Sequence, residues 1–215
     1  MIQDAPQTIA MVGVDKDLID LIQSMPRFIF HGVFDKHPAA DALGTAHLGD
    51  DDNWPGYLAA HPGLKVLMAI DPPKIKATLV AAYGLANLAS LVATGAYVSV
   101  NARLGAGVIV QRGVNVLPDV DIGAAVKLNV GVSVHHDCRI GDYCTLAPGS
   151  RLLGAVTLAD RVYVGAHAVV LQKRTVGAGA VIGAGAVVTT DVPAGATVVG
   201  VPAKPIGPHK SIAES

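Results

Sequence analysis

Two adjacent residues in the C-terminal half of the chain, His136 and Asp137, have the side chains that acid–base chemistry requires. A carboxylate beside an imidazole can hold one ring nitrogen protonated and stabilise the imidazolium, which leaves the other nitrogen free to accept a proton near neutral pH. The pair is therefore a candidate general base with its orienting partner. From the residues alone, the alternative is a polar surface corner without a catalytic role, because histidine is often found partly exposed. His135 precedes the pair and has no assigned chemistry.

The pair lies within a repeat of six residues. From Val92 to Val188 every sixth residue is Val, Leu or Ile, and no insertion interrupts the series. The residue four positions after each aliphatic is mostly small or β-branched, with Arg174 as the exception. A period of six fits neither an α-helix, with 3.6 residues per turn, nor a simple amphipathic strand, with a period of two. It predicts a chain that turns a corner every six residues and buries one aliphatic per short strand.

Three such strands make one coil of about 18 residues, and stacked coils pair through parallel hydrogen bonds. The repeat therefore predicts a parallel β-helix. Cys138 and Cys144 occupy the small inward position, and we expect buried thiols rather than a disulfide framework or a zinc site. Glycines that directly follow the inward aliphatics relieve crowding or allow unusual backbone dihedrals, and they are Gly105, Gly123, Gly141, Gly165, Gly177 and Gly183.

Residues 1–90 have a different pattern, in which apolar runs at 8–14, 28–34 and 64–70 alternate with helical segments. This alternation predicts a small parallel α/β unit, in which ligands bind at the carboxyl ends of the strands. Gly13, Asp35 and Asp71 lie at the carboxyl ends of the three runs, so they are candidate ligand contacts. No further glycines follow Gly13 closely, which argues against a dinucleotide-binding loop.

Composition excludes several classes of protein. Only 15% of residues are charged and 51% are hydrophobic, which is not the composition of a disordered chain. A net charge of −1 without a basic block argues against a nucleic-acid partner. The N-terminus lacks a basic region followed by an apolar run, so we expect no signal peptide and a cytoplasmic location. The uncharged stretch between Lys76 and Arg103 contains Gly, Asn, Ser and Thr and partly follows the repeat, so we expect no membrane span.

The repeat resembles that of the hexapeptide-repeat acyltransferases over residues 91–205. An α/β unit before such a repeat is similar to one subgroup, the sugar acetyltransferases that act on sialic acid or on nucleotide-linked amino sugars. The string from Val134 to Gly141 matches the catalytic string of that subgroup, V-x-H-D-C-x-I-G. The resemblance implies a left-handed coil, although the general rule for parallel crossovers predicts a right-handed one. It also implies a nucleotide-sugar-binding domain over 1–90, an acetyltransferase domain over 91–205 and a tail over 206–215.

The resemblance assigns roles at the reacting centre. It implies that His136 is the general base, that Asp137 orients it, and that the main-chain N–H of Gly154 stabilises the oxygen of the tetrahedral intermediate. The family often has a second histidine, which contacts the acyl group, where this chain has Thr145. The implied acyl contact is therefore a hydroxyl.

The resemblance also implies how acetyl-coenzyme A and the sugar are held, without a metal ion. The coenzyme arm follows main-chain groups at Ala166 and Ala184, and a cation near the end of the chain meets the coenzyme phosphates. The coenzyme residues that close the repeat are Val201, Pro202 and Lys204. In the N-terminal unit, Asp35 matches the acidic residue that contacts the nucleoside.

These roles imply an acetyl-coenzyme A-dependent N-acetyltransferase that acts on a nucleotide-linked 4-amino-4,6-dideoxy sugar, perosamine-like and GDP- or UDP-linked, for surface polysaccharide biosynthesis. Relatives form homotrimers with the coenzyme between subunits, which predicts a shared site here. O-acetylation of sialic acid and a non-catalytic β-helix scaffold stay open as alternatives. A zinc hydratase on the same coil needs three converging histidines, which His135, His136 and His167 supply poorly because adjacent strand residues point to opposite sides.

Overall fold

An α/β unit comes first in the chain. The computed structural model describes residues 6–37 and 43–206. The unit has one four-stranded parallel sheet in the order β3-β2-β1-β4. Its elements, in chain order, are β1 (Gln7–Val12), α1 (Lys16–Gln23), β2 (Phe28–Phe34), β3 (His47–Gly49), a 3₁₀ turn (Asp51–Asn53), α2 (Trp54–Ala60), β4 (Lys65–Met68), α3 (Pro73–Tyr83) and a second 3₁₀ turn (Leu85–Asn87).

The three predicted apolar runs form β1, β2 and β4, and local chemistry sets where the helices begin. Asp15 caps α1, because its Oδ1 accepts a hydrogen bond from the N–H of Leu18 at 3.0 Å. Pro73 occupies the first turn of α3, where its missing N–H leaves no hydrogen bond unmade. The short strand β3 was not predicted, since its three residues carry no alternating pattern.

Strands of two residues follow one another every six residues, and they pair in parallel with strands one coil away. The second residue of each is an aliphatic of the series, so the predicted parallel β-helix is confirmed. The strands are β5 (Leu91–Val92), β6 (Tyr97–Val98), β7 (Arg103–Leu104), β8 (Ile109–Val110), β9 (Asn115–Val116), β10 (Asp121–Ile122), β11 (Lys127–Leu128), β12 (Ser133–Val134), β13 (Arg139–Ile140), β14 (Thr145–Leu146), β15 (Arg151–Leu152), β16 (Thr157–Leu158), β17 (Tyr163–Val164), β18 (Val169–Val170), β19 (Thr175–Val176), β20 (Val181–Ile182) and β21 (Val187–Val188). An antiparallel pair, β22 (Thr197–Val199) and β23 (Lys204–Ile206), closes it.

The β-helix has three faces and three corners. The first face contains β5, β8, β11, β14, β17, β20, β22 and β23; the second contains β6, β9, β12, β15, β18 and β21; the third contains β7, β10, β13, β16 and β19. The first corner, between the first and second faces, includes residues 147–150, 165–168 and 183–186. The second corner, between the second and third faces, includes residues 135–138 and 153–156. From Val110 to Val188 the inward aliphatics are at most 4% exposed, so they form one continuous core.

The glycines that follow the aliphatics are required by crowding between coils and not by their own dihedrals. A Cβ on Gly165 would lie 2.5 Å from the backbone nitrogen of Ala184 in the next coil. Positive φ occurs two residues later, at His167 (φ 56°) and its equivalents. The structure therefore supports relief of crowding, and not an unusual backbone dihedral, as the reason for these glycines.

The α/β unit packs on the first face. The first residue of each strand points outward, and on this face Leu91, Ile109, Lys127 and Thr145 are at most 1% exposed because the α/β unit covers them. Leu91 and Ile109 share a hydrophobic cluster with Ile9 of β1. Within the described ranges, no helix has the length and apolar character needed to cross a bilayer. The predicted tail at 206–215 lies outside the described residues, apart from Ile206 at the end of β23.

Candidate active site

His136 and Asp137 form a close pair on the second corner. Nδ1 of His136 lies 2.7 Å from Oδ2 of Asp137, and the two side chains are 61% and 57% exposed. Asp137 has a left-handed backbone (φ 62°), which Asp tolerates better than most residues. Its N–H donates to the carbonyl of Pro118 in the coil before. When Nδ1 donates its hydrogen to the carboxylate, Nε2 is the nitrogen that can accept a proton.

Gly154 lies directly beneath the imidazole, one coil further on. The N–H of Ala155 donates to the carbonyl of His136 at 2.9 Å, which fixes the two coils in register. A Cβ on Gly154 would be 2.7 Å from Cε1 of His136 and 2.8 Å from Nε2, so only glycine leaves room for the ring. The N–H of Gly154 donates to no acceptor within residues 6–37 and 43–206. A proton acceptor and a free amide donor therefore lie side by side.

The predicted coenzyme residues come together in a different place, on the first corner. Ala166 and Ala184 stack in adjacent coils, where the N–H of Gly185 donates to the carbonyl of Ala166 at 2.8 Å. The segment that closes the repeat packs beside them, since a Cβ on Gly183 would lie 2.7 Å from Cγ1 of Val199. Val201, Pro202 and Lys204 are exposed on that segment, with a cis peptide bond between Val201 and Pro202.

Gly13, Asp35 and Asp71 come together at the carboxyl edge of the α/β sheet. The N–H of Gly13 donates to the carbonyl of Phe34 at 2.9 Å, and the N–H of Ala69 donates to the carbonyl of Val12 at 3.0 Å. These bonds place the three strand ends side by side. Oδ1 of Asp35 accepts from the N–H of His37, and within residues 6–37 and 43–206 its other carboxylate oxygen has no hydrogen bond.

Sequence reasoning missed a buried lysine that joins this edge to the β-helix. Lys127, the outward residue of β11, is 1% exposed. Its ammonium lies 2.8 Å from Oδ2 of Asp15, 3.0 Å from Oδ1 of Asp71 and 3.0 Å from the carbonyl of Ala69. The ammonium thus donates hydrogen bonds to Asp15 and to the carbonyl of Ala69, and its contact with Asp71 is an ion pair without hydrogen-bond geometry. An outward position in the repeat indicates solvent exposure, so the residue type alone carried no signal of this role.

Thr145 corrects one prediction. Its side chain is fully buried, and its hydroxyl accepts a hydrogen bond from Nζ of Lys76 at 2.6 Å and donates one to the carbonyl of Asp71 at 2.7 Å. The expected contact with the acyl group does not fit this arrangement, because the α/β unit covers the hydroxyl. Burial, together with nearby Lys127, lowers the pKa of Lys76 from 10.5 to about 7.

The cysteines are buried thiols. Cys138 donates to the carbonyl of Leu153 and Cys144 to that of Ala159, each at 3.2 Å. Burial raises the pKa of Cys138 to about 11 and that of Cys144 to about 12, so neither is an activated nucleophile. Among the residues that the structure describes, no three His, Cys, Asp or Glu side chains group as metal ligands.

The candidate residues lie at three separate places in the molecule: the first corner, the second corner and the carboxyl edge of the α/β sheet. The coil order runs from the first face through the first corner to the second face, and then through the second corner to the third face. In a three-sided prism the second corner is opposite the first face, which the α/β unit covers. His136 therefore points away from Asp35 and Asp71 of the same chain.

Comparison with known proteins gives matches over both parts of the chain. Residues 119–154 match the family described as bacterial transferase hexapeptide (six repeats). The crystal structure of PerB from Caulobacter crescentus, in complex with CoA and GDP-perosamine, is 33% identical with a TM-score of 0.86, and the match covers 93% of this chain and 97% of that one. The acetyltransferase domain of PglB from Neisseria gonorrhoeae, in complex with acetyl coenzyme A, is 25% identical with a TM-score of 0.85 over 94% of this chain and 100% of that one. These matches confirm a left-handed β-helix of hexapeptide repeats behind a small parallel sheet.

A curated relative matches only within the repeat. A 2,3,4,5-tetrahydropyridine-2,6-dicarboxylate N-acetyltransferase of Staphylococcus aureus (strain JH9) is 51% identical over 51 residues, which is 24% of this chain and 21% of that protein. The match therefore spans about a fifth of the curated relative's length. It supports the hexapeptide repeat of the β-helix and does not extend to the α/β unit.

Proposed function

The chain belongs to the hexapeptide-repeat sugar acetyltransferases, and from that premise we propose that it transfers the acetyl group of acetyl-coenzyme A to the amino group of a nucleotide-linked sugar. The observation that carries the proposal is the His136–Asp137 pair, 2.7 Å apart, with the ring seated on Gly154. A similar structure that covers almost the whole chain holds both CoA and GDP-perosamine. We propose a 4-amino-4,6-dideoxy sugar as the acceptor, in the biosynthesis of surface polysaccharide.

The reaction is a direct displacement at the thioester. The amine nitrogen of the sugar attacks the carbonyl carbon, and Nε2 of His136 takes the proton that the nitrogen loses. Asp137 holds Nδ1 protonated and stabilises the imidazolium. The N–H of Gly154 donates to the carbonyl oxygen as its negative charge develops. When the intermediate collapses, the carbon–sulfur bond breaks, the imidazolium of His136 gives its proton to the thiolate, which leaves as coenzyme A, and the amide remains on the sugar.

We further propose that the working enzyme is a homotrimer with sites between subunits. Support comes from the three separate places: His136 on the second corner, Ala166 on the first corner, and Asp35 on the unit that covers the first face. One chain cannot bring these groups to a single acetyl group, whereas a second copy related by rotation can. The exposed cation of Lys204 then lies near the coenzyme phosphates.

A substrate screen tests the proposed activity. Purified protein is mixed with acetyl-coenzyme A and, in separate reactions, UDP-, GDP- and dTDP-linked 4-amino-4,6-dideoxy sugars, and the release of coenzyme A thiol is followed. Free sialic acid is included as a hydroxyl acceptor. We expect thiol release with at least one amino sugar and an N-acetylated product by mass spectrometry. Release with sialic acid alone, or with none of the acceptors, would contradict the proposal.

A further inference from the structure

The β-helix anchors Asp71 at two points. Its carboxylate oxygen Oδ1 lies 3.0 Å from the ammonium of Lys127, and its main-chain carbonyl accepts the hydroxyl hydrogen of Thr145 at 2.7 Å. Lys127 and Thr145 are the outward first residues of β11 and β14, neighbouring strands on the first face. The Asp71 side chain is still 48% exposed, so part of its carboxylate faces outward at the strand ends.

The direction of the second anchor is set by Lys76 of α3. Nζ of Lys76 donates to the Thr145 hydroxyl at 2.6 Å and to the carbonyl of Cys144 at 3.0 Å. Because the Thr145 oxygen accepts from Lys76, its own hydrogen is directed to the carbonyl of Asp71. The amine, the hydroxyl and the carbonyl form one buried chain of hydrogen bonds, and such a chain holds its members in one geometry.

The same face also positions the strand end next to Asp71. Lys127 binds Asp15, which follows β1 and caps α1, and the carbonyl of Ala69, which follows β4. One ammonium group therefore joins the ends of two adjacent strands. Gly13 directly follows β1, so the geometry of this edge depends on a side chain that belongs to the β-helix.

We propose that Thr145, Lys76 and Lys127 are positioning residues for the nucleotide-sugar site, which hold Asp71 where it contacts the sugar nucleotide, and that Thr145 has this role instead of an acyl contact. This inference rests on the proposed function, because it assigns Asp71 to the acceptor. The inference predicts different effects on the two substrates, because a change at Thr145 alters binding of the nucleotide sugar and leaves binding of acetyl-coenzyme A unchanged.

The test is Thr145→Val, which keeps the shape of the side chain and removes the hydroxyl. Its KM for the nucleotide amino sugar is expected to rise about tenfold, which corresponds to about 1.4 kcal/mol, while kcat and the KM for acetyl-coenzyme A stay within about twofold of wild type. Thr145→Ser, which restores the hydroxyl, is expected to recover the wild-type KM. Thr157→Val is the matched control, since Thr157 is exposed on the third face, whereas the α/β unit packs on the first.

Calorimetric titration of the same nucleotide sugar in the absence of acetyl-coenzyme A gives a second measurement, independent of turnover. A weaker Kd for Thr145→Val and a restored Kd for Thr145→Ser support the inference. An unchanged KM for the sugar in Thr145→Val, or a raised KM for acetyl-coenzyme A in its place, would overturn the inference and leave the proposed function intact. A wild-type enzyme that turns over no nucleotide amino sugar would overturn both.

Discussion

Among single residues, the second corner combines the His136–Asp137 pair, which the sequence indicated, with the close approach of the ring to Gly154, which the sequence did not indicate. His136 and Asp137 were predictable because a histidine beside a carboxylate matches a known catalytic string. The imidazole lies against Gly154 because residues 18 positions apart in the sequence stack in adjacent coils. The hydrogen-bonded register of the coils determines which residues stack. A glycine in a sequence with 24 of them gives no sign of which one a ring will cover.

Two glycine-to-alanine substitutions distinguish crowding against the proposed general base from crowding against the backbone of the next coil. Gly154→Ala places a methyl group against the exposed ring of His136, so we expect kcat to fall about 100-fold with a nearly unchanged melting temperature. Gly165→Ala places the same methyl group 2.5 Å from the backbone nitrogen of Ala184, which cannot move without disturbing a coil, so we expect a lower melting temperature. Kinetics and thermal unfolding of both variants check this. A Gly154→Ala variant with wild-type kcat would show that the ring of His136 does not need the space that Gly154 leaves.

At the scale of elements, the repeat determines most of what can be predicted. One aliphatic every six residues sets the strand positions, the register and the inward side chains, and the structure has a strand at every member of the series. The first face could not be predicted in the same way. Outward residues of the repeat such as Lys127 and Thr145 look solvent-exposed from the pattern, and they are buried only because the α/β unit packs on them. Lys76 of α3 is buried by the same contact, from the side of the α/β unit. The contact between the α/β unit and the β-helix produces no periodic pattern in the sequence, so it could not be predicted from the repeat.

The buried amine of Lys76 gives the docked face a pH dependence with a defined sign. The groups that act on it electrostatically are Lys127, which lowers its pKa, and Cys144 and Asp71, which raise it, while burial dominates and brings the pKa to about 7. An unfolded chain keeps that proton up to the ordinary pKa of 10.5, so between about pH 7 and pH 10 the unfolded state binds more protons. Stability therefore rises with pH in this window, and below about pH 7 the full penalty of a buried charge remains.

Lys76→Met removes this titration and keeps the length of the side chain. We expect the free energy of unfolding of wild type, minus that of the variant, to increase from pH 7 to pH 9 with a slope on the order of 1 kcal/mol per pH unit. Urea unfolding at several pH values measures it, and the subtraction cancels the other titrating groups. A difference that is flat or falls with pH would show that Lys76 keeps its charge when folded.

In the molecule as a whole, the position of the α/β unit is the reason for proposing a shared site. The unit covers the first face and His136 lies on the opposite corner, so in the proposed trimer each protomer would present its base to one neighbour and its sugar site to the other. Assembly of this kind leaves the two halves of a site on different chains. It also makes complementation between defective chains possible.

Mixed trimers test the shared site. His136→Ala supplies an intact sugar site and Asp35→Ala supplies an intact base, so neither variant is active alone. When the two are co-expressed in equal amounts, random mixing leaves about one quarter of the sites with both parts intact, and we expect about a quarter of wild-type turnover. Sites contained within one chain would give no recovery, and a monomer in light scattering would exclude the arrangement outright.

The most direct test of the account is the turnover of His136→Ala under saturating nucleotide amino sugar and acetyl-coenzyme A. The side chain is 61% exposed, so the variant is expected to fold and to bind acetyl-coenzyme A with wild-type affinity. We predict that kcat falls by two to four orders of magnitude, roughly the contribution of a general base. A variant that retains more than about a tenth of wild-type kcat would show that another group removes the proton.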